Sequence, residues 1–172
     1  MFQRPKKEVS EQEALLKLSA MCSQAEHSSG EMREKMRRWA MPQDAADRVM
    51  DRLIAERFVD DERYARFFVR DKIRFDRWGR RKIEQGLYRK GVSADIIGSV
   101  LDAVADADYI EALRPLLAAK RKSVKAGSDY ELNGKLIRFA LGRGFDMGIV
   151  RKCIDSADEY NIADSIADDN YE

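Results

Sequence analysis

The sequence contains few of the residues on which catalysis and metal binding usually depend. Among 172 residues there are one histidine and two cysteines. Cys22 and Cys153 lie far apart at apolar positions, which predicts two buried thiols rather than a disulfide framework or a metal site. His27 has no cysteine at ligand spacing, and no glycine-rich phosphate loop or nucleophile motif is present. The sequence therefore gives no chemical reason to predict an enzyme, a metal or a cofactor.

Long apolar runs are also missing, and glycine and proline are scarce. No run approaches the roughly 20 apolar residues that a membrane span needs. The first residues, MFQRPKKEVSEQE, lack the apolar core of a signal peptide. Hydrophobic residues make up 44% of the chain and charged residues 37%, against about 25% charged in an average globular protein. This composition predicts a soluble, cytoplasmic, all-α protein with no membrane partner.

Charge is abundant but unevenly distributed, because the formal net charge of the chain is only +1. Residues 63–90 hold eleven positive and three negative side chains, a net of +8, whereas residues 155–172 hold seven acids and no base. A local excess of this size attracts polyanions at short range without making the whole protein adhesive. Nucleic acid is the leading candidate partner, and a basic face that only keeps the protein soluble is the alternative.

Arginines in the basic segment recur at a helical spacing. Arg66, Arg70, Arg74 and Arg77 follow one another at intervals of four, four and three residues, which predicts one stripe on a helix opposite an apolar side. Arginine binds phosphate oxygens bidentately, so the stripe is suited to a phosphate backbone. Arg80, Arg81 and Lys82 follow at a predicted helix start, where backbone N–H groups add attraction for anions. The apolar side is formed by Ala65, Phe68, Val69 and Ile73.

Trp78 lies between these two groups of cations and has two interpretations. It could stack on an unpaired base, or it could pack beneath the helices that flank its turn. The complete set of candidate binding residues is Arg66, Arg70, Arg74, Arg77, Trp78, Arg80, Arg81, Lys82, Arg89 and Lys90.

An internal repeat predicts the fold. An offset of 51 residues aligns residues 40–51 with 91–102, and a further offset of 53 aligns them with 144–155. The apolar positions shared by the three copies are spaced as on one buried helical face. This helix is predicted to begin at Pro42, Ser93 or Asp146. Two more helical patterns precede each copy, the first of them at 14–25, 64–75 and 110–122, and Gly91 and Gly144 are suited to left-handed helix ends. We therefore expect an all-α fold of three tandem three-helix repeats in an elongated, curved array, with a compact bundle as the alternative.

The expected domains follow the repeat. They are an N-terminal tail at 1–10, repeats at 11–57, 58–109 and 110–157, and an acidic C-terminal tail at 158–172. The acidic C-terminal tail has little apolar surface to bury, so we predict that it is disordered. The alternative is an autoinhibitory role, in which the tail covers the arginine stripe of the free protein.

Residues 58–92 also carry a distinctive series of motifs. They are the acidic turn Asp60-Asp61-Glu62, the helix start Arg63-Tyr64-Ala65, the turn Gly79-Arg80-Arg81-Lys82-Ile83 and the helix end Leu87-Tyr88-Arg89-Lys90-Gly91-Val92. In these motifs the chain resembles the RecX family, bacterial regulators of the RecA recombinase. The resemblance covers about residues 11–157 and is most specific in the middle repeat.

The resemblance implies a non-enzymatic, monomeric modulator, mainly an inhibitor. Such a protein lodges in the groove of the RecA filament on single-stranded DNA and suppresses ATP hydrolysis, strand exchange and co-protease activity. The charge pattern alone does not identify RecA. It leaves two other functions open, a helical DNA-binding protein that acts without RecA and a helical-repeat scaffold that binds only protein.

Overall fold

The computed structural model describes residues 8–154, and all regular structure within them is helical. Eight helices have both ends described: α1 Glu11–Gln24, α2 Ser29–Arg38, α3 Gln43–Ala55, α4 Asp61–Arg74, α5 Arg80–Arg89, α6 Ala94–Asp102, α7 Asp106–Ser123 and α8 Asp129–Gly142. A ninth helix, α9, occupies residues 147–154. The helices form three successive sets of three, as the repeat predicts. The proposed acidic tail lies outside the described residues.

Helix starts coincide with capping residues. The Ser10 and Ser128 hydroxyls accept hydrogen bonds from the backbone three residues later, and Ser28 and Glu31 form a reciprocal capping box. The predicted starts at Pro42, Ser93 and Asp146 are confirmed, because α3, α6 and α9 begin directly after them.

The first helix of each repeat begins three or four residues earlier than the apolar pattern predicts. We expected helices at 14–25, 64–75 and 110–122, whereas they begin at Glu11, Asp61 and Asp106. The additional first turns are acidic, and carboxylates stabilise the positive end of a helix dipole without contributing to an apolar pattern.

Two glycines end α5 and α8 in the left-handed conformation, as predicted. Gly91 has φ 75° and Gly144 has φ 91°. A methyl group on Gly91 would lie 2.7 Å from Gly30 Cα, and one on Gly144 would lie 2.5 Å from Lys82 Cβ. Both turns therefore require glycine for its backbone conformation and for the close approach of another chain segment.

Backbone contacts divide the chain into two compact units. The first contains the described residues up to Phe67 together with Gly86–Val100, and the second contains Phe68–Gln85 together with the described residues from Leu101. Helices α4 and α5 each contribute to both units. Leu18, Met36 and Met50 are fully buried in the core of the first unit. In the second unit Tyr109 packs edge-on against Phe145, with 6.5 Å between ring centroids.

One contact recurs in equivalent positions of the two units. In the first, the Ser28 hydroxyl donates a 2.5 Å hydrogen bond to the Lys90 carbonyl. In the second, the Gly79 N–H donates a 2.9 Å hydrogen bond to the Arg143 carbonyl. The repeat offsets align Ser28 with Gly79 and Lys90 with Arg143. The start of a middle helix is thus joined to the glycine turn of the next repeat in the same way twice.

The cysteines differ in burial. Cys153 is buried, but Cys22 is only partly buried, so the prediction of two buried thiols is corrected for Cys22. The Cys22 thiol lies 3.7 Å from the Met32 sulfur on α2, at the edge of the apolar core. Burial raises the pKa of both thiols, which lowers their reactivity.

No helix between residues 8 and 154 is both long enough and apolar enough to span a membrane. In the same range, no three side chains are grouped as metal ligands.

Candidate nucleic-acid interface

Helix α4 presents arginines on its exposed side. Arg66, Arg70 and Arg74 are exposed at intervals of four residues. Most of this charge is compensated by acids. Arg66 pairs with Glu62 one turn earlier, and the Arg70 guanidinium lies 3.6 Å from the Asp71 carboxylate. The predicted apolar side is confirmed, since Ala65, Val69 and Ile73 are buried and Phe68 is half-buried.

The prediction that Arg77 continues this stripe is wrong, because α4 ends at Arg74. The Trp78 N–H donates a 3.0 Å hydrogen bond to the Lys72 carbonyl, which closes the helix end. Arg77 occupies the left-handed position in this closure, with φ 54°. The residue begins a turn rather than extending a helix, and it does so in a conformation that favours glycine.

The Trp78 ring contacts two ammonium groups. Lys72 Nζ lies 4.5 Å from the ring centroid and Lys82 Nζ lies 4.7 Å from it, both within cation–π range. The two ammonium groups are therefore no more than about 9 Å apart. Lys72 also forms a 2.7 Å ion pair with Asp76, whereas Lys82 has no carboxylate partner within residues 8–154. Trp78 is half-buried. Packing beneath the helices predicts a buried ring and stacking on a base predicts an exposed one, so the burial lies between the two interpretations.

The turn after α4 is held by the glycine turn of the third repeat. The Arg143 side chain donates hydrogen bonds to the carbonyls of Asp76 and Arg77, the latter at 3.2 Å. In return, the Gly79 N–H donates to the Arg143 carbonyl at 2.9 Å and the Arg81 N–H donates to the Gly144 carbonyl at 3.0 Å. Four hydrogen bonds fix the backbone of this turn.

These contacts correct one expectation about the start of α5. We expected the backbone N–H groups at Arg80, Arg81 and Lys82 to attract anions, but the Arg81 N–H, like that of Gly79, already donates to a carbonyl oxygen. The expectation is therefore corrected for the Arg81 N–H, which is not available to an anion.

The side-chain charges around this turn divide into compensated and uncompensated groups. Arg80 forms a 2.6 Å ion pair with Asp102, and this pairing raises the pKa of Arg80. Four other cations have no carboxylate partner in the described part of the chain: Arg74, Arg77, Arg81 and Lys82. We refer to these four as the basic turn, and all four belong to the second unit.

Arg89 and Lys90 belong to the first unit, at the end of α5. With α2 they line a groove of about 470 Å³. Lys90 forms a 2.8 Å ion pair with Glu31 there. Burial alone would raise the pKa of Glu31, but hydrogen bonds from Lys90 and the Ser28 N–H outweigh it and lower that pKa. The structure thus places Trp78, Arg80 and the basic turn in the second unit, where Lys82 contacts Trp78, and it places Arg66, Arg89 and Lys90 in the first unit.

Sequence reasoning missed two residues of this site. Lys72 lies in the basic segment but is not among the predicted binding residues. Its contact with Trp78 depends on the turn that ends α4, which brings the Trp78 ring back to the last turn of the helix. Arg143 lies 66 residues from Arg77 in sequence, so its role in fixing the turn is visible only in three dimensions.

Three models of known domains match the chain along most of its length. They describe the first, second and third three-helix domains of RecX and match residues 20–53, 60–101 and 106–154. The chain belongs to the RecX family. The middle match contains Trp78 and the whole basic turn.

Curated relatives carry the same family name. A regulatory protein RecX from Chlorobium phaeobacteroides is 31% identical over 136 residues, covering 78% of this chain and 87% of the relative. One from Clostridium botulinum is 29% identical over 136 residues, and one from Clostridium perfringens is 32% identical over 118 residues. The chain spans 63% and 55% of the lengths of these two clostridial relatives, less than two thirds of each.

Solved RecX structures share the fold. The crystal structure of RecX from Lactobacillus salivarius superposes with a TM-score of 0.79 at 22% identity, covering 86% of this chain and 96% of that one. A second crystal structure of a regulatory protein RecX gives a TM-score of 0.76 at 19% identity, covering 84% and 71%. The predicted all-α fold of tandem three-helix repeats is confirmed.

Proposed function

We propose that this protein is a non-enzymatic regulator of the RecA recombinase, acting as a monomer in the cytoplasm. It binds in the groove of the RecA filament on single-stranded DNA, and its basic turn contacts the DNA backbone. Membership of the RecX family supports RecA as the partner. The observation that carries the DNA contact is the group of four cations without carboxylate partners around the turn between α4 and α5.

The charge pairing explains why the basic turn, rather than the whole +8 segment, is proposed as the contact. An exposed ion pair is close to neutral and contributes little attraction at a distance, so Arg66, Arg70, Arg80 and Lys90 are largely compensated. Three of the four cations of the basic turn are arginines, which suit phosphate oxygens. Arg89 also has no carboxylate partner in the described residues, but it belongs to the first unit. The backbone beneath them is fixed by hydrogen bonds, so less ordering is required when they bind.

Occupation of the groove explains the proposed inhibition. A protein that bridges neighbouring RecA protomers and the DNA opposes the changes in the filament that accompany ATP hydrolysis and strand exchange. It also blocks the surface on which a repressor is stimulated to cleave itself. All three activities are therefore expected to fall together.

The first experiment is a titration of this protein into the cognate RecA during DNA-dependent ATP hydrolysis. A fall in rate at well below one copy per recombinase is expected, because one bound molecule blocks a filament of many protomers. No effect at equal concentrations would remove RecA as the partner and leave binding to DNA alone or to another protein as the function.

A matched pair of variants tests the DNA contact. R74A/R81A removes two uncompensated arginines, and R66A/R70A removes two that pair with acids, with the same change in net charge. Affinity for a single-stranded oligonucleotide is measured by fluorescence anisotropy at several salt concentrations. For R74A/R81A the log–log salt slope is expected to become shallower by about 1.4, because each phosphate contact contributes about 0.7. R66A/R70A is expected to change the slope much less, and equal effects of the two variants would contradict the assignment.

A further inference from the structure

The surroundings of Trp78 bear on how the basic turn recognises its ligand. A tryptophan that stacks on a base needs an open ring face. Here two ammonium groups lie 4.5 and 4.7 Å from the ring centroid, at distances where cations bind the π-system. A base that stacked on a ring face covered by either ammonium group would have to displace that lysine.

The two lysines at the ring are not equivalent. Lys72 is committed to Asp76, since its ammonium forms a 2.7 Å ion pair with that carboxylate. The Lys82 ammonium contacts the ring but has no carboxylate partner in the described residues, so its charge is available to a ligand. A lysine side chain is otherwise flexible and loses entropy when it is ordered. Contact with the ring removes part of that cost before any ligand arrives.

The first repeat shows that this pair is not required by the fold. The repeat offset aligns Trp78 with His27 and Lys82 with Glu31. The His27 Nδ1 atom lies 3.3 Å from the Glu31 carboxylate, and that carboxylate accepts a hydrogen bond from Lys90. The same place in the helical repeat therefore carries a compensated acid in the first repeat and an uncompensated base in the second. The difference points to a role in binding.

We propose that Trp78 is a positioning residue that holds the Lys82 ammonium for a phosphodiester group, so that the basic turn binds the nucleic-acid backbone without stacking on a base. The inference rests on the proposed function, because it takes the basic turn as the DNA contact. It predicts that the turn accepts any base, and that Trp78 contributes to affinity through Lys82.

The first test compares two ligands of equal length and charge on the wild-type protein, a thymidine oligonucleotide and an abasic phosphodiester oligomer. Their affinities are expected to agree within about twofold by fluorescence anisotropy, because the contacts are to phosphates. Stacking would weaken the abasic oligomer by about fivefold or more per base lost. A loss of that size in the wild type would overturn the inference of binding without stacking, and its disappearance in W78A would identify Trp78 as the stacking residue.

The second test is a double-mutant cycle of W78L and K82A, with W78F as the conservative control. W78L is expected to weaken binding, to have no further effect when K82A is already present, and to be largely rescued in W78F, whose ring also binds cations. Independent, additive effects of W78L and K82A would overturn the positioning role. If W78L fails to fold, the comparison of ligands on the wild-type protein still decides whether binding depends on stacked bases.

The two proposals fail in different ways. Wild-type protein that binds neither ligand at moderate salt would contradict the DNA contact itself. Wild-type protein that binds the thymidine oligonucleotide but not the abasic oligomer would leave the DNA contact in place and overturn only the inference about Trp78.

Discussion

Arg77 occupies a backbone conformation that suits glycine, and R77G therefore separates stability from binding. A residue with a side chain at φ 54° costs about 1–2 kcal/mol that glycine does not. Glycine in turn makes the unfolded chain more flexible, which costs about 0.4–1 kcal/mol. The net change is a stabilisation of roughly 0–1.5 kcal/mol, a rise of up to about 6 °C in Tm for a protein of this size. We expect R77G to be at least as stable as the wild type.

The chain contains a matched control at Arg57. This arginine follows α3, has φ 60°, and its carbonyl accepts a hydrogen bond from the Arg63 side chain, just as the Arg77 carbonyl accepts one from Arg143. R57G removes the same charge and relieves the same conformation in the first unit. It should match R77G in thermal stability, measured by circular dichroism.

The two variants should differ in binding to single-stranded DNA. R77G is expected to lose about 1 kcal/mol, or about fivefold in affinity, with a salt slope shallower by about 0.7, whereas R57G should bind as the wild type does. Wild-type affinity in R77G would refute the assignment of Arg77 to the DNA contact. A Tm well below that of the wild type in R77G alone would show that the side chain serves the fold.

Two further predictions concern the turns and ion pairs around the site. G144A should destabilise the protein by more than about 2 kcal/mol, because position 144 has φ 91° and the added methyl group would lie 2.5 Å from Lys82 Cβ. G142A is the control, and it should be neutral or stabilising by up to about 1 kcal/mol, because the space around Gly142 is open. Thermal unfolding measures both, and an unchanged Tm in G144A would contradict the close approach. Glu31 has a lowered pKa, so its contribution to stability should be complete above its ordinary value of 4.5 and be lost as the pH falls through the lowered one. The Tm difference between the wild type and E31Q should therefore shrink below about pH 4.5, and a constant difference down to pH 3 would exclude this role.

Much of the fold could be predicted because its determinants are local. Capping serines, the left-handed glycines Gly91 and Gly144, and a repeated apolar face each act within a few residues of the chain. The starts of α1, α4 and α7 were placed too late because their first turns are acidic. Such turns are stabilised by the helix dipole and leave no trace in an apolar pattern.

The site was harder to predict because a count of charges does not reveal their pairing. The Arg66–Glu62 pair could have been read from its spacing of four residues. Arg80 and Asp102, separated by 22 residues, meet only through the tertiary fold, as do the contacts of Arg143 with the turn. Arg77 does not belong to the arginine stripe, because α4 ends at Arg74. A spacing pattern does not show where a helix ends, and helix ends are assigned to within only one or two residues.

The contact between the start of a middle helix and the following glycine turn has a consequence for how such proteins diverge. On the acceptor side it uses only a main-chain carbonyl, from Lys90 in one unit and from Arg143 in the other. The donor is a hydroxyl in the first case and a main-chain N–H in the second. This main-chain hydrogen bond does not depend on the acceptor side chain, which makes a different second contact in each unit: Lys90 pairs with Glu31, whereas Arg143 donates to the carbonyls of Asp76 and Arg77. The main-chain bond therefore gives successive repeats one fixed point of attachment, beside which the side-chain contact can differ from repeat to repeat.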